Sequence, residues 1–171
     1  IDGREKPVKK APKEKAKPRK RGRPSKGEER KPKEPTRLER QCDQTVQEAL
    51  KELPAFCDVG TKKNSKGYKE TWIGYKLHAD VNDCGLPISV ALTAASLHDS
   101  QLAIPLMKMS SAKVQYLYDV MDSAYDAGPI YEISRSLGHV PLIDKNPRGQ
   151  EVVPMAPHEA LRYNERTAVE R

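Results

Sequence analysis

Three side chains near the end of this 171-residue chain, Tyr163, Arg166 and Glu170, stand at i, i+3 and i+7. On a helix that spacing stacks them on one face over two turns. A phenol, a guanidinium and a carboxylate on one stripe suit a phosphate-handling surface, the guanidinium as a planar fork of donors and the carboxylate as a hard oxygen for a divalent cation. The competing reading is a solvated charged face, since Arg and Glu abound in exposed helices. What separates the two is whether other acids converge from elsewhere in the chain. Metal-assisted phosphoryl transfer needs carboxylates from separate elements around two divalent ions about 4 Å apart, one activating the attacking oxygen and one stabilising the leaving oxygen.

Two upstream acids qualify. Asp58, in Phe56-Cys57-Asp58-Val59-Gly60, is an acid on an otherwise apolar strand, where an unpaired carboxylate would be costly to bury without a partner or a metal. Its alternative role is a surface turn acid before Gly60. Asp122 ends the apolar run Tyr116 to Met121, at the carboxyl end of a strand, where the crevice of an open parallel sheet lies. Its alternative role is a helix cap, a role for which Asp126 is better placed. Asp119 is the rival within the same strand, and Asp80 and Asp83, flanking a hairpin, are rivals to Asp58 that read better as strand-end and turn residues. His78, on an alternating strand, reads as a packed or surface histidine rather than a ligand.

The elements that must carry these residues follow from the pattern. Residues 43–53 read as a short helix capped at Asp43 or Thr45 and stopped by Pro54. A strand around Phe56 to Val59 is followed by Thr71 to Val81, which partly alternates apolar and polar residues. Asn82-Asp83-Cys84-Gly85 supplies turn chemistry, and Leu86 to Ala94 returns as the second arm of a hairpin. A helix over Ser100 to Met109 with Asp99 as N-cap, a strand over Tyr116 to Met121, a helix over Ala127 to Leu137 capped by Asp126 and closed by Gly138, and a strand over His139 to Ile143 complete the order. A Pro-rich loop, Asn146 to Pro157, leads to the terminal helix. Strand-helix-strand units require parallel pairing and hairpins antiparallel pairing, so the sheet is expected to be mixed.

Charge divides the chain. It holds 31 Lys or Arg against 24 Asp or Glu, for a net +7, but residues 1–40 alone hold 17 against 7 and six of the 14 prolines. The remainder, with 14 basic and 17 acidic residues, is −3. A Lys/Pro/Glu-rich stretch has too little apolar surface to offset its ordering entropy, so residues 1–41 are expected to be a disordered linker and 42–171 the folded domain. Within the arm, Arg21-Gly22-Arg23-Pro24 resembles an AT-hook, whose glycine lets the backbone approach the minor-groove floor while the arginines meet its negative potential. A merely solubilising linker is the other reading. Cys42, Cys57 and Cys84 are too few for a disulfide scaffold and lack zinc spacing, which points to a reducing cytoplasm. No apolar run reaches the roughly 20 residues of a membrane span.

Taken together, these motifs resemble the DDE transposases of bacterial insertion sequences. Tyr163, Arg166 and Glu170 match the Y-x2-R-x3-E part of that family's Y-x2-R-x3-E-x6-K signature, the Lys lying past the last residue. The Asp58-x-Gly-Thr-Lys segment is similar to its first-Asp strand and Met121-Asp122-Ser123-Ala124-Tyr125-Asp126 to its second-Asp motif, with Ser123 and Ala124 at departures in the middle. The resemblance implies an α/β, ribonuclease H-like mixed sheet flanked by helices, incomplete at the C-terminus. It implies a catalytic and metal-binding triad of Asp58, Asp122 and Glu170 using Mg2+, with Mn2+ as a substitute. DNA contacts would come from Tyr163, Arg166 and the segment Arg21 to Pro24, and His98-Asp99 would play a structural or supporting part. Expected partners are terminal inverted repeats, target DNA and further copies of the chain, in a bacterial, nucleoid-associated setting. Because the chain lacks Met at position 1 and stops one residue after Glu170, it is expected to be a fragment that is inactive alone.

Overall fold

The computed structural model describes residues 6–8, 34–64, 66–149, 151 and 153–169. The AT-hook-like Arg21 to Pro24 and Glu170 lie outside the described residues. Two short helices open the domain, α1 (Arg37–Asp43) and α2 (Val46–Lys51). Each starts on a reciprocal capping box, Thr36 with Glu39 and Thr45 with Glu48, in which hydroxyl and carboxylate satisfy backbone N–H groups that no helix turn can reach. Of the two caps expected for the first helix, Thr45 is the one used. α1 is a correction: it begins inside the stretch assigned to the arm and runs two residues past it, because basic composition runs on through Arg40 and masks the Thr36 cap. Its C-terminal carbonyls are satisfied by Lys108, whose Nζ donates to the carbonyls of Gln41, Cys42 and Gln44 at 2.9, 2.9 and 2.8 Å.

Three strands follow, β1 (Asp58–Lys63), β2 (Lys69–Val81) and β3 (Pro87–Ala94), in an antiparallel sheet of order β1-β2-β3. A one-turn 3-10 segment (Asp99–Leu102) runs into α3 (Ala103–Ser111). Then come β4 (Tyr118–Met121), a second 3-10 turn (Ser123–Tyr125), α4 (Gly128–Ser136) and β5 (Val140–Ile143), with α5 (Pro157–Val169) packed on β4 and β5. β4 and β5 pair in parallel, Met121 opposite Ile143, as the intervening helix requires.

The expected strands are present in order, but their hydrogen bonding forms two sheets among the described residues, one antiparallel and one parallel, rather than one mixed sheet. The first strand begins at Asp58, not Phe56, since the ladder with β2 opens at the Asp58–Gly74 pair. Two caps also differ. His98, not Asp99, caps the turn before α3, and α4 has Ala127 at its cap with no side-chain bond while Pro129 occupies its first turn. Asp126 is occupied elsewhere, accepting from Tyr131 Oη at 3.1 Å and from the amide of Asn146 at 3.0 Å.

The main core gathers Ile104 and Met107 from α3, Ile130 and Ile133 from α4 and Ile143 from β5. A second, smaller core joins Leu53, Leu97 and Leu102 beneath α2 and the first 3-10 turn. The alternation along β2 is real, and its polarity is reversed. Ile73, Tyr75 and Leu77 are exposed, Leu77 at 72%, while His78 beside it is buried. The covered face of β2 therefore carries Trp72, Lys76, His78 and Asp80, and buried groups of this kind persist only when partnered.

Candidate active site

Asp58 is buried where β1 starts, and its carboxylate accepts a hydrogen bond from the hydroxyl of Ser96, just past β3. The β1 backbone beside it is closely hemmed in. A Cβ on Gly60 would stand 2.5 Å from the Trp72 ring and 2.8 Å from the Ala95 carbonyl, so only glycine lets β1 and the end of β3 approach this closely. Two backbone bonds fix that end of β3, Ala94 N to Pro54 O at 2.7 Å and Ala95 N to Gly74 O at 3.3 Å.

The segment after Ser96 is held from β2. Lys76 Nζ donates to the carbonyl of Leu97 at 2.7 Å and to Asp99 Oδ1 at 2.9 Å, and lies 5.9 Å from the centre of the Trp72 ring. His98 Nδ1 lies 2.8 Å from Ser100 Oγ and closes the turn. The Asp99–Leu102 turn packs on the Ser123–Tyr125 turn. At the head of the latter sits Asp122, exposed, its Oδ1 accepting from the amide of Ala124 at 2.8 Å. Between the turns Tyr125 is pushed up to about 12, first by burial and then by the charges of Asp99 and Asp122. A cavity of about 380 Å³ lined by Lys76, His78, Asp99 and Tyr125 adjoins it. Of the packed and surface roles open to it, His78 takes the packed one: its Nε2 lies 2.8 Å from Thr93 Oγ1, and burial lowers its pKa, Asp99 opposing.

One acid escaped sequence reasoning. Asp144 follows β5 in register with Asp122 after β4, and its amide donates to the Met121 carbonyl at 3.1 Å. Its signal, an acid directly after an apolar strand, is the same as that of Asp122. The rivals separate clearly. Asp83, in the hairpin turn, is paired with Arg166. Asp119 is buried, accepting from Ser134 Oγ at 2.5 Å and lying 3.1 Å from His139 Nδ1, while Asp80 sits close to Asp119 and is raised by burial.

On α5, Arg166 pairs with Asp83 and both Arg162 and Arg166 lie over the Tyr118 ring, at 5.4 and 5.6 Å from its centre. Tyr163 is half-buried on the same helix, its carbonyl accepting from Thr167 Oγ1 at 2.9 Å. The helix thus stands over β4 with the predicted stripe on it, up to the point where Glu170 falls outside the described residues.

No group of three or more His, Cys, Asp or Glu side chains among the described residues could hold a metal ion. Asp58 and Asp122 are nonetheless hard oxygen donors, and Mg2+ commonly takes one or two carboxylates and completes its shell with water and phosphate. The donor chemistry therefore fits that ion.

An α/β domain with acids at the start of one strand and just past the end of another, the segments beside them meeting at two packed turns, is of the class in which metal-dependent phosphoryl transfer is built. The transposase DDE domain family matches residues 40–150, most of the chain, and the chain belongs to that family. No curated protein and no solved structure matches it. Membership carries a role in transposition, nuclease or transposase activity, DNA binding and the general use of a divalent metal. The match takes in Asp58 and Asp122 and ends before Tyr163, Arg166 and Glu170. No helix among the described residues is long and apolar enough to cross a membrane.

Proposed function

We propose that the chain is the catalytic core of a bacterial insertion-sequence transposase of ribonuclease H-like fold, with Asp58, Asp122 and Glu170 as its metal-holding triad. The observation that carries this reading is the bridge between the first two: Ser96 bonds Asp58, and three residues on, the Asp99 turn packs against the turn that Asp122 caps. Mg2+, or Mn2+ in its place, would supply the Lewis acid that activates the attacking oxygen and neutralises the leaving one. The residues hold, orient and select. Asp58 is kept in place by Ser96, and Asp122 presents an exposed carboxylate whose position is set by Ala124. Tyr163 and Arg166 are the side chains for DNA phosphate, and binding there requires Arg166 to exchange Asp83 for the phosphate.

The reaction has two in-line displacements at phosphorus. Water attacks at an end of the element and the bond to the 3′ oxygen breaks, leaving a 3′-OH. That hydroxyl then attacks target DNA, displacing another 3′ oxygen. DNA at terminal inverted repeats and at the target, together with further copies of the chain, are the partners this requires. Arg21 to Pro24 would add sequence-tolerant, salt-dependent grip on the minor groove.

The test is Mn2+ binding by this chain together with Mn2+-dependent cleavage of duplex DNA by a full-length version. Asp58→Asn and Asp122→Asn are expected to lose both while retaining DNA binding. The rival reading, a non-catalytic DNA tether, is favoured by the +10 net charge of residues 1–40. It gains if replacing Arg21, Gly22 and Arg23 abolishes DNA affinity while Asp122→Asn alters neither metal binding nor cleavage.

A further inference from the structure

We infer that Lys76 is a positioning residue for the metal-holding carboxylates, acting on Asp58 through the Ser96–Asp99 segment; this rests on the assignment of Asp58 and Asp122 proposed above. Lys76 stands on the covered face of β2 with its side chain 22% exposed. Its ammonium has three hydrogens, and two of them go to one short stretch of chain, the carbonyl of Leu97 and the carboxylate of Asp99. The Trp72 ring lies along its other side. These contacts clamp the chain where it enters the Asp99–Leu102 turn. Immediately before the clamp, Ser96 reaches Asp58; immediately after it, the turn presses on Ser123–Tyr125, at whose head Asp122 sits.

No other side chain among the described residues is recorded bonding both Leu97 and Asp99. Burial of the Lys76 stem makes it a fixed strut rather than a swinging surface charge, since a partly buried ion pair is screened far less than an exposed one. Removing it would release the Leu97 carbonyl and the Asp99 carboxylate together, and the Ser96 hydroxyl would lose its aim at Asp58. Ligand-orienting contacts of this sort carry a large part of the affinity of metal sites.

This role predicts an effect opposite in sign to simple electrostatics. Deleting a cation close to a cation site relieves repulsion and should tighten Mn2+ binding, whereas deleting a strut should loosen it. The experiment titrates Mn2+ into the 171-residue protein, reading free Mn2+ by electron paramagnetic resonance, for the wild type, Lys76→Met, Lys76→Arg, Ser96→Ala and the Lys76→Met/Ser96→Ala double variant. Lys76→Met and Ser96→Ala are each expected to weaken Mn2+ about tenfold, and Lys76→Arg to restore most of the loss. The double variant is expected to be no weaker than the worse single one, because both substitutions break the same linkage. Tighter or unchanged Mn2+ binding in Lys76→Met, or additive losses in the double variant, would overturn the inference. Should Lys76→Met fail to fold, Asp99→Asn takes its place, with the same expected non-additivity against Ser96→Ala. Saturable Mn2+ binding that ignores Asp58→Asn and Asp122→Asn sinks the assignment of the triad itself, a failure distinguishable from that of Lys76 alone.

Discussion

Two regions along β2 end in acids held in different ways. Near the middle of the strand the buried Asp58 lies across from Gly74, and beyond it the Asp99 turn leads to Asp122, a carboxylate left in solvent and bonded to the backbone amide of Ala124. Six residues further along β2, about 20 Å at strand rise, Asp80 faces Asp119 in a covered layer closed by Ser110, Ser134, His139 and Tyr116. There Asp119 has side-chain partners in Ser134 of α4 and in His139, just before β5, and the His139 ring packs tilted against Tyr116 with ring centres 4.0 Å apart. Asp119 and Asp122 are three residues apart in sequence, yet one is built into the fold and the other is presented by it. A carboxylate that must exchange ligands during a reaction has to remain reachable, whereas one that braces a core has to be fully bonded.

The largest expected effect tests that division directly. Asp122→Asn should abolish Mn2+ binding and, in a full-length version, lower Mn2+-dependent cleavage by several orders of magnitude. Its melting temperature should stay within about 1 °C, because Asn caps a helical turn as well as Asp does. Asp119→Ala should do the reverse, costing about 3 kcal/mol in a urea melt, since it strips buried donors of their acceptor, and leaving metal affinity intact in the folded fraction. If Asp119→Ala removes metal binding while stability holds, the ligand on β4 has been misassigned and Asp119 is the catalytic acid.

Next in size is Gly60→Ala. The added carbon meets the Trp72 ring and the Ala95 carbonyl, and the carbonyl belongs to backbone pinned at Gly74, so the strand has to move. A loss of about 2 kcal/mol is expected, in the range of overpacked cores. Because Gly60 is two residues from Asp58 on the same face, Mn2+ affinity should fall with it. Equal destabilisation with full metal affinity would mean that the Asp58 end is not coupled to the packing of β1.

How much of this was legible beforehand follows the range of the forces involved. Local rules worked: the Thr45 cap, the stop before Pro54, the Asn82–Gly85 turn and the order of strands and helices all stand in the structure. α1 was obscured because composition averages over a window while a capping box is a matter of two residues, Thr36 and Glu39. The reversed polarity of β2 was hidden because alternation shows that a strand has two faces and not which face is covered; that depends on partners far along the chain, Leu97 and Asp99 for Lys76 and Thr93 for His78. Asp126 misled for a related reason: its position suits a cap, but Asn146, twenty residues away, claims its carboxylate. Asp58 and Asp122 were singled out by an acid interrupting or ending an apolar run. The bridge between them could not be read that way, since it depends on Ser96 and on two turns meeting in space.

The smallest expected effect sharpens the comparison from the buried end. Burial raises the Asp80 pKa above its ordinary 3.8, Asp119 pushes the same way, and Ser110 and His139 pull against them. A raised carboxyl pKa means the folded state holds the proton more tightly than the unfolded one. Asp80 therefore contributes its stability fully below pH 3.8 and loses it as pH rises through the folded value. At neutral pH the charge on Asp80 is a burden on the fold. Asp80→Asn keeps the shape without the charge, so its melting temperature should exceed the wild type's at pH 7, and the gap should close as pH falls towards 3.8. Mn2+ affinity should be unchanged, because Asp80 lies six residues along β2 from Gly74, the residue that pairs with Asp58. A variant less stable at pH 7 would show that the Asp80 charge is bonded rather than tolerated, and a loss of Mn2+ affinity would show that the two regions of the strand are not independent.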